Sequence, residues 1–274
     1  MTDRTTIGDR MKMYETPSTS RRAFKGQPLV VRLDGNNFHN FCSDLKKPFD
    51  TNMSALMQAT TSALVQRYNA TVGYTQSDEI TLVWITYPDG TLELPFSGKL
   101  QKIESLMASF AAAFFNTSLR QYLPNKDGDL ACFDARAFTT PTVQEAYHAV
   151  LWRQQDCTKN AISMAAHALF PGQSGQKKLH GLSGAQKQEL MFQEKGVNFN
   201  DYPAFFKRGT FFRREKIFVE LDAAQLENIK PEFRPVGKVE RTVIADRDIW
   251  LSKQDDPVTT LFFGGDIQKC STPQ

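Results

Sequence analysis

Two acidic clusters are the residues of this chain best suited to chemistry: Asp34-Gly35 within LVVRLDGNNFHNF and Ser77-Asp78-Glu79 within VGYTQSDEITLVW. Each sits where an apolar, β-like run breaks. Residues 28–33 lead into the first acid and residues 80–86 lead away from the second. A carboxylate at the end of a buried strand is costly to keep charged unless a cation or a donor meets it. Two such carboxylates at one sheet edge make an oxygen-rich site for Mg²⁺, which prefers a couple of carboxylates completed by phosphate oxygens. Taken singly, each acid also fits a solvated turn, an Asp before Gly in one case and a hairpin acid in the other.

The elements around the acids decide whether they meet. A strand at 28–34 is followed by a loop and then a helix from about 51, with Asp50 as its N-cap. Met53, Leu56, Met57, Leu64 and Val65 recur along it at helical spacing. Short strands near 71–75 and 79–86 flank a tight hairpin that carries the second acidic cluster. Pro88-Asp89-Gly90 marks a turn and TLELPF an edge strand. A second helix over 99–121 lines up Leu100, Ile103, Leu106, Met107, Phe110, Phe114 and Phe115, and a strand at 132–139 closes the unit. The order β-α-β-β-α-β is the split βαβ, or ferredoxin-like, arrangement. In that sheet the third strand lies antiparallel between the first and second. The end of strand one and the hairpin between strands two and three then share an edge, which makes Asp34 and Asp78 neighbours. Polymerase palms and nucleotidyl cyclases hold their metals with this two-carboxylate geometry.

The fold class expected is therefore α+β: a ferredoxin-like polymerase palm, an antiparallel sheet with packed helices, plus a helical and β C-terminal extension. Residues 1–27 form a polar, basic lead-in ending at Arg21-Arg22, 28–140 the palm-like catalytic domain and 141–274 the C-terminal region. That region reads as a helix over 142–170, a Gly-rich loop at 171–184 and a helix at 184–195. A Phe-rich basic segment at 205–218 follows (FFKRGTFFRREKIF), then strands within 216–251 and a loose STPQ tail.

Composition narrows the class. With 274 residues, 41% hydrophobic and 21 Phe, the chain has a real core. Lys+Arg 33 against Asp+Glu 30 gives +3, a slight lean toward a polyanionic partner. Cys42, Cys132, Cys157 and Cys270 form no CxxC pair, so neither a zinc site nor a disulfide framework is indicated. The charged N-terminus lacks the apolar core of a secretory signal, and no run is long enough to span a membrane. A soluble, cytoplasmic protein is expected.

Taken in order, RLDGNNFHNF, LKKPFD, GYTQSDE, FDAR, WRQQDCTKN and GVNFNDYPAFFKRGT resemble the tRNA-His guanylyltransferase family and its 3′-to-5′ polymerase relatives, from about residue 28 to 214. The resemblance implies a palm working in reverse. An NTP activates a tRNA 5′ end, and the 3′-hydroxyl of an incoming GTP attacks it. Carried over by residue, it implies that Asp34, the carbonyl of Gly35 and Asp78 hold two Mg²⁺ ions. Asn36, Asn37, Phe38 and His39 would cradle the nucleotide with Ser77 beside them. Lys47, Asp50 and Lys187 would contact the triphosphate, and Asn160, Asn198 and Asn200 would lie around the nucleotide and the tRNA end. Substrates would be ATP, GTP and tRNA, and the assembly a homo-tetramer.

After WRQQDC the tRNA-His enzymes carry a His-Ile-Asn-Asn-type run. Here the run is Thr158 to Met164, matching only at Asn160. This favours the bacterial, archaeal and phage-type relatives, which the family links to template-dependent repair of truncated tRNA 5′ ends.

Other residues keep two readings. Lys207, Arg208, Arg213 and Arg214, interleaved with aromatics, suit RNA binding and equally a solvated strand face. Trp152 and the Phe run at 205–212 read as core and interface, Cys157 and Glu79 as structural, and His180 as a loop residue. A non-catalytic RNA-binding module on a palm fold is the alternative function. A nucleotide cyclase shares the palm but needs no tRNA surface.

Overall fold

Leu29, Val31 and Leu33 project to one side of their strand and Val30 to the other. All four are buried, so layers must cover both faces. The computed structural model describes residues 6–85, 94–264 and 267. Its elements run α1 (Ile7–Thr19), β1 (Leu29–Asn36), α2 (Phe38–Phe41), α3 (Thr51–Tyr68), β2 (Val72–Gln76), β3 (Glu79–Trp84), α4 (Leu100–Tyr122) and β4 (Cys132–Thr139). They continue with α5 (Val143–Leu169), α6 (Gly172–Leu179), α7 (Gly184–Lys195), α8 (Ala204–Arg208), β5 (Thr210–Val219), α9 (Ala223–Glu227) and β6 (Val239–Arg247).

One sheet holds all six strands in the order β4-β1-β3-β2-β5-β6, antiparallel at every junction. Its first four strands are the ferredoxin-like set, with β3 between β1 and β2 as expected. β5 and β6 extend the same sheet beyond β2. On one face Leu29, Val31, Leu33, Ile80, Leu82 and Trp84 meet Leu56, Met57 and Leu64 of α3 and Ile103, Met107 and Phe115 of α4. On the other, Val30, Val72, Tyr74 and Val83 meet Ala146, Tyr147 and Val150 of α5, with Phe211, Leu251 and Leu261. Each such side chain contributes about 1.5–3 kcal/mol when fully buried, so the sheet is fixed from both sides. The C-terminal half of α5 then packs on α6, α7 and Phe206 in a third cluster.

Asp50 caps α3 as expected: its Oδ1 accepts from the main-chain N–H groups of Asn52 and Met53 at 2.9 and 3.0 Å. Three expectations need correction. The predicted loop at 171–184 contains α6, whose Gly175 packs so tightly that a Cβ would lie 2.0 Å from the Phe170 carbonyl oxygen. Of the expected TLELPF edge strand, residues 91–93 lie outside the described residues and Pro95–Gly98 form a 3₁₀ turn. Trp152 is not core: it is 53% exposed. The Pro88-Asp89-Gly90 turn, Cys270 and the STPQ tail also lie outside the described residues. No described helix is long and apolar enough to cross a membrane.

Candidate active site

The β1–β3 register places Asp34 directly opposite Glu79, and the Gly35 N–H donates to the Asp78 carbonyl at 3.1 Å. The two acidic clusters are thus tied by backbone rather than brought close by flexible side chains. Ser77, at φ 50, turns the hairpin, and the Thr75 hydroxyl donates to the Glu79 carbonyl at 3.0 Å. Gly35 has a steric reason to be glycine. A Cβ there would lie 2.4–2.7 Å from the ring carbons of Phe38, which is buried and stacks near Phe41, Phe115 and Phe133. Gly35→Ala is therefore expected to lower stability by about 1–3 kcal/mol, the cost of overpacking, and to shift the acid beside it. A denaturant midpoint unchanged from the parent would show that Phe38 yields freely.

Burial pushes the Asp78 carboxyl above its ordinary range. Asp34 adds to the push, while hydrogen bonds from the Asp78 main chain and from Ser77 oppose it. Among the described residues neither Asp34 nor Asp78 has an ion-pair partner, whereas Glu79 has a strong one. The Arg153 guanidinium donates to both Glu79 oxygens at 2.6 Å and to Asp156 at 2.9 Å. Burial raises the Glu79 carboxyl and Arg153 pulls it back. Glu79 is thereby committed to α5, which leaves Asp34 and Asp78 as the carboxylates without a cation. With the adjacent peptide carbonyl of Gly35 they form an all-oxygen donor set, which fits a hard divalent cation completed by substrate oxygens. No cluster of three His, Cys, Asp or Glu suited to a metal occurs among the described residues.

A cavity of about 840 Å³ opens beside the acids. Asp34, Phe38, His39, Lys47, Asp50, Ser77, Asp78 and Asn160 all line it, with Phe49, Phe205, Met164 and His167. Lys187 stands one step behind the wall, donating to Ser163 at 3.0 Å. Asn36 ends β1. Asn37, left-handed at φ 59, caps α2 and accepts from the Asn40 amide at 2.8 Å. The Lys47 ammonium donates to the Cys42 carbonyl at 2.9 Å. Burial raises the Cys42 thiol to about 11, with the Asp78 charge adding and Lys47 opposing. The Asp50 carboxylate is engaged in capping α3 and accepts from the Lys46 N–H at 3.5 Å. Burial likewise lifts the Cys157 thiol to about 12, in keeping with a structural cysteine.

The residues expected to bind tRNA are not gathered in this way. Arg213 is 5% exposed, ion-paired to Glu215 at 2.6 Å and bonded to the Thr260 carbonyl, so its expected RNA contact is overturned. Arg208 is held by both oxygens of Asp248 at 2.7 Å and lies over Trp250. Arg214 donates to Asn69 at 3.0 Å, Lys207 to the Asn200 carbonyl, and Asn198 caps the turn at Phe199–Asp201. Phe211 and Phe212 are core. Sequence reasoning missed Arg153, whose only local signal is an acid three residues on, Asp156.

The comparisons with known proteins agree with this geometry. A family model described as tRNAHis guanylyltransferase matches residues 8–141, and one described as the Thg1 C terminal domain matches 145–249. An uncharacterized protein of Acanthamoeba polyphaga mimivirus is 32% identical over 235 residues, spanning 77% of this chain and 78% of that protein. A bacterial tRNA-His guanylyltransferase-like protein solved in complex with ATP superposes at a TM-score of 0.70 with 39% identity, covering 77% of this chain and 87% of that one. Another, in complex with GTP, gives a TM-score of 0.63 with 33% identity over 88% and 91%. The palm topology, the paired acids beside a nucleotide-sized cavity and these matches over most of the chain place it in the tRNA-His guanylyltransferase family.

Proposed function

We propose that this nucleotidyltransferase adds nucleotides to tRNA 5′ ends in the 3′-to-5′ direction, using ATP and GTP. The observation that carries the reading is the meeting of Asp34 and Asp78, neither ion-paired among the described residues, at the mouth of the cavity. Asp34, Asp78 and the Gly35 carbonyl would hold two Mg²⁺ ions, which when bound supply charge stabilisation at the attacking and leaving oxygens of an in-line displacement. The chain's own groups do the positioning. Lys47 offers further ammonium protons to a triphosphate, Ser77, Phe38 and His39 border it, and Asn160 is held at the wall by Asp156 at 3.2 Å. ATP and GTP in the solved relatives support a nucleotide in this cavity. Lys47→Ala is expected to weaken GTP binding by about 1.5–3 kcal/mol, the range for a hydrogen bond to a charged group. Lys47 is exposed, so folding should be unaffected. Calorimetry showing parental GTP affinity would remove Lys47 from the site.

Template-dependent repair is favoured over tRNA-His-specific guanosine addition. Thr158 follows Cys157, where the tRNA-His enzymes begin their histidine-type run. Its hydroxyl donates to the Lys207 carbonyl at 2.9 Å, tying α5 to α8 rather than facing outward. The test is 5′ extension of a truncated tRNA-His and a truncated non-His tRNA at matched ionic strength, with ATP, GTP and Mg²⁺. Comparable rates are expected, with the added nucleotide set by the opposing 3′ strand. A preference above about a hundredfold, roughly 2.7 kcal/mol, would restore tRNA-His-specific addition.

A further inference from the structure

The sheet edge that carries the acids also carries an exposed aromatic ring. β6 ends at Arg247 opposite Phe211, β5 begins at Thr210 opposite Thr75, and β2 runs out at Gln76 into the hairpin of Ser77 and Asp78. The chain leaving β6, Asp248 to Trp250, therefore emerges on the acid side of the sheet, two strand spacings or about 10 Å across from β2. α8 joins the two places. Phe206 lines the nucleotide cavity, and the guanidinium of Arg208, two residues on, lies 5.4 Å from the centre of the Trp250 ring. Trp250 itself is not part of the cavity.

The ring stands on a fixed frame. Ile249 and Leu251 on either side are fully buried, whereas Trp250 is 38% exposed. The buried Gln154 amide fastens the main chain on both sides, donating to the Ile249 carbonyl at 2.7 Å and accepting from the Leu251 N–H at 2.9 Å. The Trp250 carbonyl accepts from the Lys253 N–H at 3.0 Å and from the Gln254 amide at 3.2 Å. Arg208 is held by Asp248, so its guanidinium steadies the ring and is not free for a phosphate. The Lys253 ammonium lies 5.7 Å from the ring centre and makes no ion pair among the described residues. A large ring held in this way loses little freedom when a flat partner covers it. Proteins take up unpaired nucleic-acid strands with this combination: bases stack on the aromatic ring while nearby cations meet the phosphates. An apolar protein partner would use the ring but pay to bury the Lys253 charge; a nucleic-acid strand uses both.

We propose that Trp250 is a stacking platform for an unpaired base of the RNA's 3′ strand, the strand opposite the 5′ end being extended. The platform rests on the reading that this enzyme works at RNA 5′ ends. It is tested by the equilibrium binding, without nucleotide, of a 5′-truncated tRNA carrying either its own 3′ overhang or an overhang of equal length built from abasic nucleotides. The abasic form keeps the phosphates and removes the bases. The parent should prefer the base-bearing RNA by about tenfold. Trp250→Ala should bring that ratio near one while leaving affinity for the abasic RNA and for GTP unchanged, and Trp250→Phe, which keeps a flat ring, should retain most of it. A parent indifferent to the bases overturns the platform, as does a ratio that survives Trp250→Ala. So does an equal loss for both RNAs in Trp250→Ala, which would mark a structural role. If the ratio is present and falls with Trp250→Ala but no nucleotide is added to any RNA, the functional reading fails and the platform stands. Extension of 5′ ends by a protein indifferent to the overhang bases removes the platform alone.

Discussion

Replacing Asp34 or Asp78 with Ala should lower nucleotide addition by more than about a hundredfold, since changes even to groups that merely support metal ligands cost 10–100-fold. The fold should persist, because these two acids contribute charge beside the cavity rather than packing. Stability without Mg²⁺ should even rise for Asp78→Asn. A carboxyl whose folded pKa is raised opposes folding at pH values above that pKa, and the penalty vanishes below the unfolded value. The gain should therefore appear at neutral pH and disappear below about pH 4. Added Mg²⁺ should raise the melting temperature of the parent and leave Asp78→Asn unmoved, as linkage requires of a lost site. Activity of either alanine variant within tenfold of the parent would sink the assignment.

Arg153→Ala should be the most destabilising single change at the site. Glu79 is 5% exposed and takes two 2.6 Å hydrogen bonds from that guanidinium. Removing one partner of a buried pair costs about 3–5 kcal/mol, because the other charge is stranded. The loss should depend on pH with a definite sign. Without Arg153 the Glu79 pKa rises further above its unfolded value of about 4.3. The penalty is then full above the new folded pKa and relieved as pH falls toward the unfolded one. Chemical denaturation at pH 5 and pH 8 should show a smaller deficit at pH 5, and adding Glu79→Leu should recover much of it. An equal deficit at both pH values would mean Arg153 stabilises through its contact with Trp152, where the guanidinium sits 4.5 Å from the ring centre.

The convergence of Asp34 and Asp78 was legible in the sequence because it depends on topology. Two hydrophobic helices between strands of the right order force the split βαβ pairing, and that pairing fixes which strand ends meet. Asp50 was legible as a cap because capping is local. Partnerships between distant segments were not. Glu79 and Arg153 are separated by 74 positions and Arg213 and Thr260 by 47, and nothing in either neighbourhood names the other. The basic, Phe-rich run therefore reads equally as an RNA surface and as a solvated strand face, whereas Arg213 faces inward along β5 to neutralise Glu215 with Arg247, which reaches the same carboxylate at 2.5 Å. The helix α6 was hidden by its two glycines, Gly172 and Gly175, which read as loop by propensity until packing against Phe170 is known.

On the proposed function, the paired acids direct nucleotide addition to the 5′ end of RNA. The most direct measurement maps where label enters a 5′-truncated tRNA incubated with the protein, ATP, labelled GTP and Mg²⁺, using end-specific nuclease digestion of the product. Label at the 5′ end, present with the parent and absent with Asp34→Ala and Asp78→Ala, is the result predicted. Label at the 3′ end, or 5′ label undiminished in the double variant, would contradict it.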